Sequence, residues 1–410
     1  MAGQADVFTI NEVVMLSAKT ISLVKSTVPL LENAGVAVTN YFYNRMFTAN
    51  PELKNIFNMS NQLNGKQQFA LFSAVASYAK HIDNPSVLGA VVERVANKHT
   101  SFFILPEHYD IVGHHLICTL KELAPEQFTD EVATAWTEAY QLLANILIGR
   151  EKQLYQHSAQ ATGGWTGARR FVVAAKTEES ELVTSFTLVP EDGGAVVSYQ
   201  SGQYLGVKVK PPHAGYVEIR QYSLSDKPNG KSYRISVKRE DLPQPGRVSN
   251  YLHQQVKVGD VIEAMPPAGD FYLKSVYVPT VLISAGVGLT PMMSMLETLA
   301  ARAEPTPICY LHACENPQQH SFKARLAQLQ QQLPQLRCYT WYNQTQPPKS
   351  NQFNGLMQLA SLADELPLQT GQFYICGPTG FMKFAKDQLI ALGVAPECVH
   401  YEVFGPHSDL

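Results

Sequence analysis

No stretch of this 410-residue chain is apolar for long enough to cross a bilayer: runs such as 280–289 fall far short of the roughly 18 residues a spanning helix needs. The beginning, Met1-Ala2-Gly3-Gln4-Ala5-Asp6, lacks the basic region and apolar run of a secretory signal, so a cytoplasmic location is expected. Neither sign of charge is in excess. With 32 Lys and Arg against 35 Asp and Glu, the formal net charge of −3 offers nucleic acid no electrostatic footprint. Cysteine is scarce and scattered. Cys118, Cys309, Cys314, Cys338, Cys376 and Cys398 have neither the density of a disulfide framework nor the spacing of an iron–sulfur ligand set. There is no C-x-x-C-H, which excludes covalent porphyrin attachment through that motif.

What is present falls into three patterns, as the length allows. Over about 15–157 apolar residues recur every three or four positions, with punctuation at Pro29, Pro51, Pro85, Pro106 and Pro125, which predicts a bundle of helices. Gly163-Gly164-Trp165-Thr166-Gly167 reads as a linker. From 168 to 275, short alternating runs (171–175, 182–189, 204–209, 217–224 and 233–237) predict an antiparallel barrel. Over 276–410, buried-type strands (280–284, 308–312, 337–342, 373–376 and 399–404) alternate with helical segments such as 292–302 and 322–333, which predicts an open parallel sheet.

Two segments of the last two patterns suit nucleotides. Arg220-Gln221-Tyr222-Ser223 ends a barrel strand, where a Tyr ring can stack on an isoalloxazine and the Arg fork can pair with phosphate. Read alone, the same residues make an edge strand with a surface Arg. Gly246-Arg247-Val248-Ser249-Asn250 precedes a helical stretch at 251–256, and its free N–H groups with the Ser249 hydroxyl form a pyrophosphate cradle, or simply a capped helix. Gly286-Val287-Gly288-Leu289-Thr290-Pro291 follows a strand and is half a dinucleotide fingerprint, with Pro in place of the third glycine. Cys376-Gly377-Pro378 and Tyr401-Glu402-Val403-Phe404-Gly405-Pro406 close later strands at the edge where ligands collect.

In the helical third, Val91, Val92 and Val95 precede His99 at i−8, i−7 and i−4, so the imidazole is expected on the face those valines bury. A lone histidine there is ordinarily a satisfied core residue. Gln67, Leu71, Val75 and Tyr78 share another helical face, which offers no histidine.

The order of these motifs from 168 onward resembles the ferredoxin-NADP reductase family, and the whole chain beyond its first dozen residues resembles the flavohaemoglobins. Val95-Ala96-Asn97-Lys98-His99-Thr100-Ser101-Phe102 is similar to their proximal segment, and Tyr41-Phe42-Tyr43-Asn44-Arg45-Met46-Phe47 to their distal one. The resemblance implies an all-α globin domain, an antiparallel FAD barrel and a parallel α/β NAD(P) domain. It implies one non-covalent haem b with His99 as its metal ligand, and Tyr109 and Glu151 as a relay on the other ring nitrogen. Tyr43 and Gln67 would hold bound oxygen, Phe57 and Leu71 would pack on the macrocycle, and Lys98 and Glu402 would lie near the flavin–haem boundary. Tyr204, Arg220, Gln221, Tyr222, Ser223, Ser249 and Val403, Phe404, Gly405, Pro406 would take one FAD. Gly286, Val287, Gly288, Leu289, Thr290 and Pro291 would receive NADH or NADPH, and the absence of Arg in His312-Ala313-Cys314-Glu315-Asn316 leans towards NADH. Departures are Leu289, where many members carry Gln, and Asp226, where the wider pattern has Ser. The implied activity is a nitric oxide dioxygenase that uses O2 and makes nitrate, as a monomer without an obligate protein partner. Two alternatives stand beside it: an oxygen-binding or sensing globin kept ferrous by its own reductase, and a general flavin, quinone or hydroperoxide reductase whose globin part binds lipid.

Overall fold

The computed structural model describes residues 16–33, 35–57, 68–212, 214–242, 244–302, 305–344, 347 and 349–405. Contacts divide the chain into two compact units, one running to Gln160 with Pro212–Ile219, the other comprising Ala161–Pro211 with Arg220 onward. Among the described residues no helix is long and apolar enough to cross a membrane.

The first unit is helical: α1 Ala18–Ser26, α2 Val28–Glu32, α3 Val36–Ala49, α4 Gln68–Lys80, α5 Gly89–Thr100, α6 Pro106–Leu123 and α7 Asp130–Gln160. Local chemistry sets the starts. The Ser17 hydroxyl accepts the Thr20 N–H to cap α1, and Pro29 and Pro106 occupy first-turn positions where a missing N–H costs nothing. Phe42, Phe72, Leu116 and Trp136 from four helices are fully buried in one core, each stabilising the fold by about 1.5–3 kcal/mol or more. The indole Nε1 of Trp136 donates to Thr27 Oγ1 at 2.8 Å, so the largest core side chain leaves no orphan donor. Helices α6 and α7 cross closely at Gly113, where a Cβ would come within 2.4 Å of the Tyr140 ring.

Two six-stranded sheets follow the helices in the chain. In the first, β1 Arg169–Glu178, β2 Val183–Pro190, β3 Tyr204–Val209, β4 Glu218–Ser223, β5 Tyr233–Lys238 and β6 Val261–Ala264 lie in the order β4-β3-β6-β1-β2-β5. A bridge between Leu224 and Ile235 joins its two ends, which closes the barrel and removes its edges. Helix α8, Arg247–Gln254, covers it. It begins four residues before the expected 251, so 247–250 form its first turn rather than a lead-in. In the second sheet β7 Thr280–Ala285, β8 Ile308–Cys314, β9 Leu336–Tyr342, β10 Gln352–Asn354, β11 Gln372–Cys376 and β12 Val399–Glu402 run parallel in the order β10-β9-β8-β7-β11-β12. Helices α9 Leu289–Arg302, α10 Lys323–Gln332 and α11 Thr379–Ala391 accompany it. The period of two sends Val281 and Ile283 into one core and Leu282 into the other, so both faces of the central strand are dry. The last strand ends at Glu402, which leaves Val403 and Phe404 outside it, contrary to the expected 399–404.

Candidate functional site

Helix α5 presents His99 one residue before its end. Val92 is buried and Val95 half-buried, as the spacing requires, but Val91 is 38% exposed. Eight residues turn an α-helix about 80° past two full turns, so Val91 points away from the His99 face. The chain then reverses through Phe103 at φ 58°, and the His99 carbonyl accepts the N–H groups of Phe102 at 3.0 Å and Ile104 at 3.1 Å. Helix α7 clamps this exit: the Phe103 and Tyr155 rings meet edge to face at 5.6 Å, and Tyr155 Oη donates to the Ile104 carbonyl at 2.8 Å.

Behind the imidazole, His99 Nδ1 lies 2.8 Å from Glu151 Oε1 and 2.8 Å from Tyr109 Oη, while Tyr109 Oη donates to the same Glu151 oxygen at 2.5 Å. The three residues, 42 and 10 positions apart along the chain, are thus brought together. The single phenol proton is committed to the carboxylate, so the bond from the ring is an Nδ1–H donating to Glu151. That leaves Nε2 as the ring nitrogen this pair does not engage. Glu151 is 2% exposed, whereas the His99 side chain keeps 32% of its surface open. Burial and the Glu151 charge hold the Tyr109 phenol far above its ordinary range, so it acts as a fixed donor. Next to Glu151, Arg150 grips Glu93 of α5 with both arms of its guanidinium, at 2.6 and 2.9 Å. Sequence reasoning passed over this pair, although Arg150 adjoins Glu151 and Glu93 lies six residues before His99.

In the same core, Tyr43 is buried among Phe42 (4.9 Å), Phe47 (5.7 Å) and Phe57 (6.0 Å). Leu71 packs on the same core from α4, and Gln67 lies outside the described residues. Tyr78, expected on that face, sends its hydroxyl to the Ala139 carbonyl at 2.8 Å. Phe57, Leu71, Val95 and Ile104 pack on the core yet remain only half-buried. An imidazole with one ring nitrogen anchored and the other not engaged by that pair, together with incompletely covered apolar side chains, fits an apolar macrocycle held through a histidine nitrogen. Lys98 is half-buried on α5.

In the second unit Tyr204 opens β3, its ring lying over Gly269, where a Cβ would come within 2.9 Å of it. Arg220, Gln221 and Tyr222 are half-buried along β4 and Ser223 is buried. The Ser249 Oγ donates to the Gly246 carbonyl and accepts the Glu240 N–H, each at 3.3 Å, which shapes the turn leading into α8. At the far end of α8, Lys176 Nζ donates to the carbonyls of Leu252 (3.2 Å), His253 (2.6 Å) and Val256 (2.9 Å). The lysine supplies both the hydrogen bonds and the charge that a helix C-terminus lacks. Lys176 follows the apolar run 171–175 of β1, and no local pattern in the sequence ties it to α8.

In the parallel sheet Gly286, at φ 53°, turns the chain out of β7, and a Cβ on Gly288 would stand 2.2 Å from the Cys376 carbonyl oxygen. Val287 lies in that turn, and Thr290 Oγ1 donates to its carbonyl at 3.0 Å. Leu289, Thr290 and Pro291 are buried in the first turn of α9, with Leu289 in the core. Glu315, just after β8, accepts from the amides of Asn343 at 3.0 Å and Gln344 at 3.3 Å. Glu402 ends β12 half-buried, Val403 is buried, Phe404 is 46% exposed and Gly405 takes φ 134°, while Pro406 lies outside the described residues.

Comparison with known proteins bears on all three patterns. Residues 40–147 match the globin family, 170–272 the oxidoreductase FAD-binding domain family and 282–387 the oxidoreductase NAD-binding domain family. A flavohemoprotein of Vibrio cholerae serotype O1 is 54% identical over 398 residues, covering 97% of this chain and all of that protein. Among solved structures, a flavohemoglobin from Malassezia yamatoensis with FAD and heme bound superposes with a TM-score of 0.85 at 27% identity, over 95% of this chain and all of that one. The FAD/NAD-binding domain of a nitric oxide dioxygenase from Vibrio cholerae is 50% identical, with a TM-score of 0.55, over 58% of this chain and 99% of that one.

Proposed function

The chain belongs to the flavohemoprotein family, and from that premise we propose that it is an NAD(P)H-dependent nitric oxide dioxygenase that turns nitric oxide and O2 into nitrate in the cytoplasm. Haem b in the first unit and FAD in the second would supply the oxygen chemistry and the passage from two-electron to one-electron transfer. What the chain itself does follows from its residues. His99 would hold the haem iron through Nε2, and Glu151, oriented by Tyr109, accepts from Nδ1–H and so would raise the basicity of that nitrogen. Tyr43 would donate to bound oxygen, and Phe57, whose ring lies 6.0 Å from that of Tyr43, and Leu71 would exclude water there. Arg220, Gln221, Tyr222 and Ser223 would hold the flavin, with Tyr204 beside them. The turn from Gly286 to Pro291 would take the coenzyme, and Glu315 sits after the second strand, where a carboxylate favours a ribose diol over a 2′-phosphate, hence NADH over NADPH.

The buried Glu151–Tyr109–His99 cluster carries the reading, because a ligand pushed by a carboxylate favours turnover over oxygen storage. His99→Ala should lose haem yet keep the reduction of flavin by NADH. A haem-loaded His99→Ala protein would overturn the assignment. Tyr43→Phe should raise the oxygen dissociation rate, and rapid-mixing assays that find oxygen bound but no nitrate formed would favour the oxygen-binding alternative.

A further inference from the structure

Helix α9 is buried at nine consecutive residues, from Leu289 to Glu297. An amphipathic helix has one dry face, so burial all round requires a partner on each side. One side is the parallel sheet, with Leu282, Tyr310 and Tyr374 in the same core as Met292 and Met295. The other is the barrel. Ser294 Oγ donates to the Asp226 carbonyl at 2.5 Å, and one turn later Thr298 Oγ1 lies 2.6 Å from Ser201 Oγ. Beside Ser201, Gly202 takes φ 118°, and a Cβ there would come within 2.8 Å of Met295 and 2.6 Å of the Phe271 carbonyl, so the helix approaches the barrel backbone directly.

The Asp226 carbonyl is shared. Tyr199 Oη, from within the barrel, donates to the same oxygen at 2.5 Å, so both lone pairs are used, one by each side. Asp226 is the third residue after β4, whose last four residues are Arg220 to Ser223. Ser225, just before it, is held by Arg234, whose guanidinium donates to the Ser225 carbonyl and hydroxyl and lies 5.2 Å over the Phe322 ring at the start of α10. Arg325 of α10 in turn grips buried Glu297 of α9 at 2.6 and 2.7 Å. The exit of the strand assigned to flavin and the helix that follows the coenzyme turn therefore meet at one backbone oxygen.

We propose that Ser294, through the Asp226 carbonyl it shares with Tyr199, is a positioning residue for hydride transfer, fixing α9 and the coenzyme turn at its N-terminus against the strand that carries the flavin. The proposal rests on the reductase reading above. In that step a hydride leaves the dihydronicotinamide with two electrons, the coenzyme departs oxidised, and the flavin is reduced and takes up a proton from solvent. Its rate depends steeply on the gap between the two rings, so a displacement that leaves coenzyme binding intact still slows it.

The test uses the full chain loaded with flavin, mixed anaerobically with NADH, following the bleaching of the oxidised-flavin band and the long-wavelength charge-transfer band of stacked nicotinamide and flavin. Ser294→Ala should slow flavin reduction at saturating NADH by about tenfold, weaken the charge-transfer band and change the NADH dissociation constant by less than about twofold. Amide exchange across Leu289–Arg302 in the flavin-free chain should rise in the same variant. Thr298→Val, which keeps the shape and loses the hydroxyl, should act in the same direction, and Thr298→Ser should restore the rate. Unchanged reduction and an unchanged charge-transfer band in Ser294→Ala would overturn the proposal, as would a loss confined to coenzyme affinity. A wild-type chain whose flavin NADH does not bleach would overturn the reductase reading first, and the proposal with it.

Discussion

At the scale of single residues, the placement of Glu151 decides most. A carboxylate 2% exposed is stable only when its charge is answered, and here the answer is a phenol at 2.5 Å and an imidazole N–H at 2.8 Å. Glu151→Gln keeps the shape and an acceptor oxygen but removes the charge. We expect haem retention with nitrate formation lowered by about 10- to 100-fold, read from the absorption spectrum and from nitrate yield; unchanged turnover would show that the charge is immaterial. A second buried group makes a pH prediction. His320, 8% exposed, has Nδ1 bonded to Tyr342 Oη at 2.9 Å and no partner at Nε2, and it lies 5.0 Å from the ring of fully buried His312. Burial pushes His320 down to about 4 and His312 well below its usual value. With its pKa depressed in the fold, each histidine protonates first in the unfolded chain. The neutral form is therefore stable at pH 7, and stability is lost as pH falls below about 6.5 until the folded pKa is reached. For His320 alone the loss between pH 7 and pH 5 is about 2 kcal/mol. Urea midpoints at the two pH values should show it, and His320→Gln should flatten the difference; an identical slope in that variant would assign the effect elsewhere.

At the scale of elements, the long periodic helices and the apolar strands were legible because their patterns repeat: β3 falls at 204–209 as expected, and β7 overruns its expected end by one residue. Strands β6 and β10 were not. β6 has four residues and β10 three, with no apolar run long enough to mark either, and β10 pairs along the parallel edge that β9 offers. The site divides in the same way. The glycine turn announces itself locally, whereas His99 and its relay came only through the resemblance, because the contact of Glu151 with His99 spans 52 residues and no spacing rule reaches it. Nor could the sequence show that Leu289 turns into the core, or that the Ser249 hydroxyl bonds within its own turn. Gly288 illustrates a residue whose reason lies wholly in packing. A Cβ there meets the Cys376 carbonyl oxygen at 2.2 Å and the Gly377 nitrogen at 2.6 Å, backbone atoms of a neighbouring strand end that cannot rotate aside. Gly288→Ala should therefore destabilise the second unit by about 3 kcal/mol and weaken NADH binding, measured by urea unfolding and coenzyme titration. A wild-type midpoint would show that β7 and β11 can part more easily than their pairing suggests.

At the scale of the whole molecule, the two units have separate cores, one built around Trp136 and Phe72, the others around Phe186 and Ile235 in the barrel and around Ile283 and Leu282 in the parallel sheet. A chain with independent cores can be divided without opening any of them, and a relative from Vibrio cholerae was crystallised as its FAD/NAD-binding part alone. Residues 161–410, which keep Trp165 on the barrel core, should therefore fold when expressed by themselves, take up FAD and oxidise NADH with an artificial acceptor. The groups argued to handle oxygen, His99, Glu151, Tyr109 and Tyr43, are all absent from that piece, so nitrate formation from nitric oxide should fall to the uncatalysed background while NADH oxidation persists. The two rates, followed in one reaction by nitrate yield and by NADH absorbance, separate the readings of the chain. Nitrate formation that survives removal of the helical third would make the globin unit dispensable and the general reductase the better description. Loss of both activities in a folded, flavin-loaded fragment would mean that the reductase half depends on the globin half for its own chemistry, which independent cores argue against.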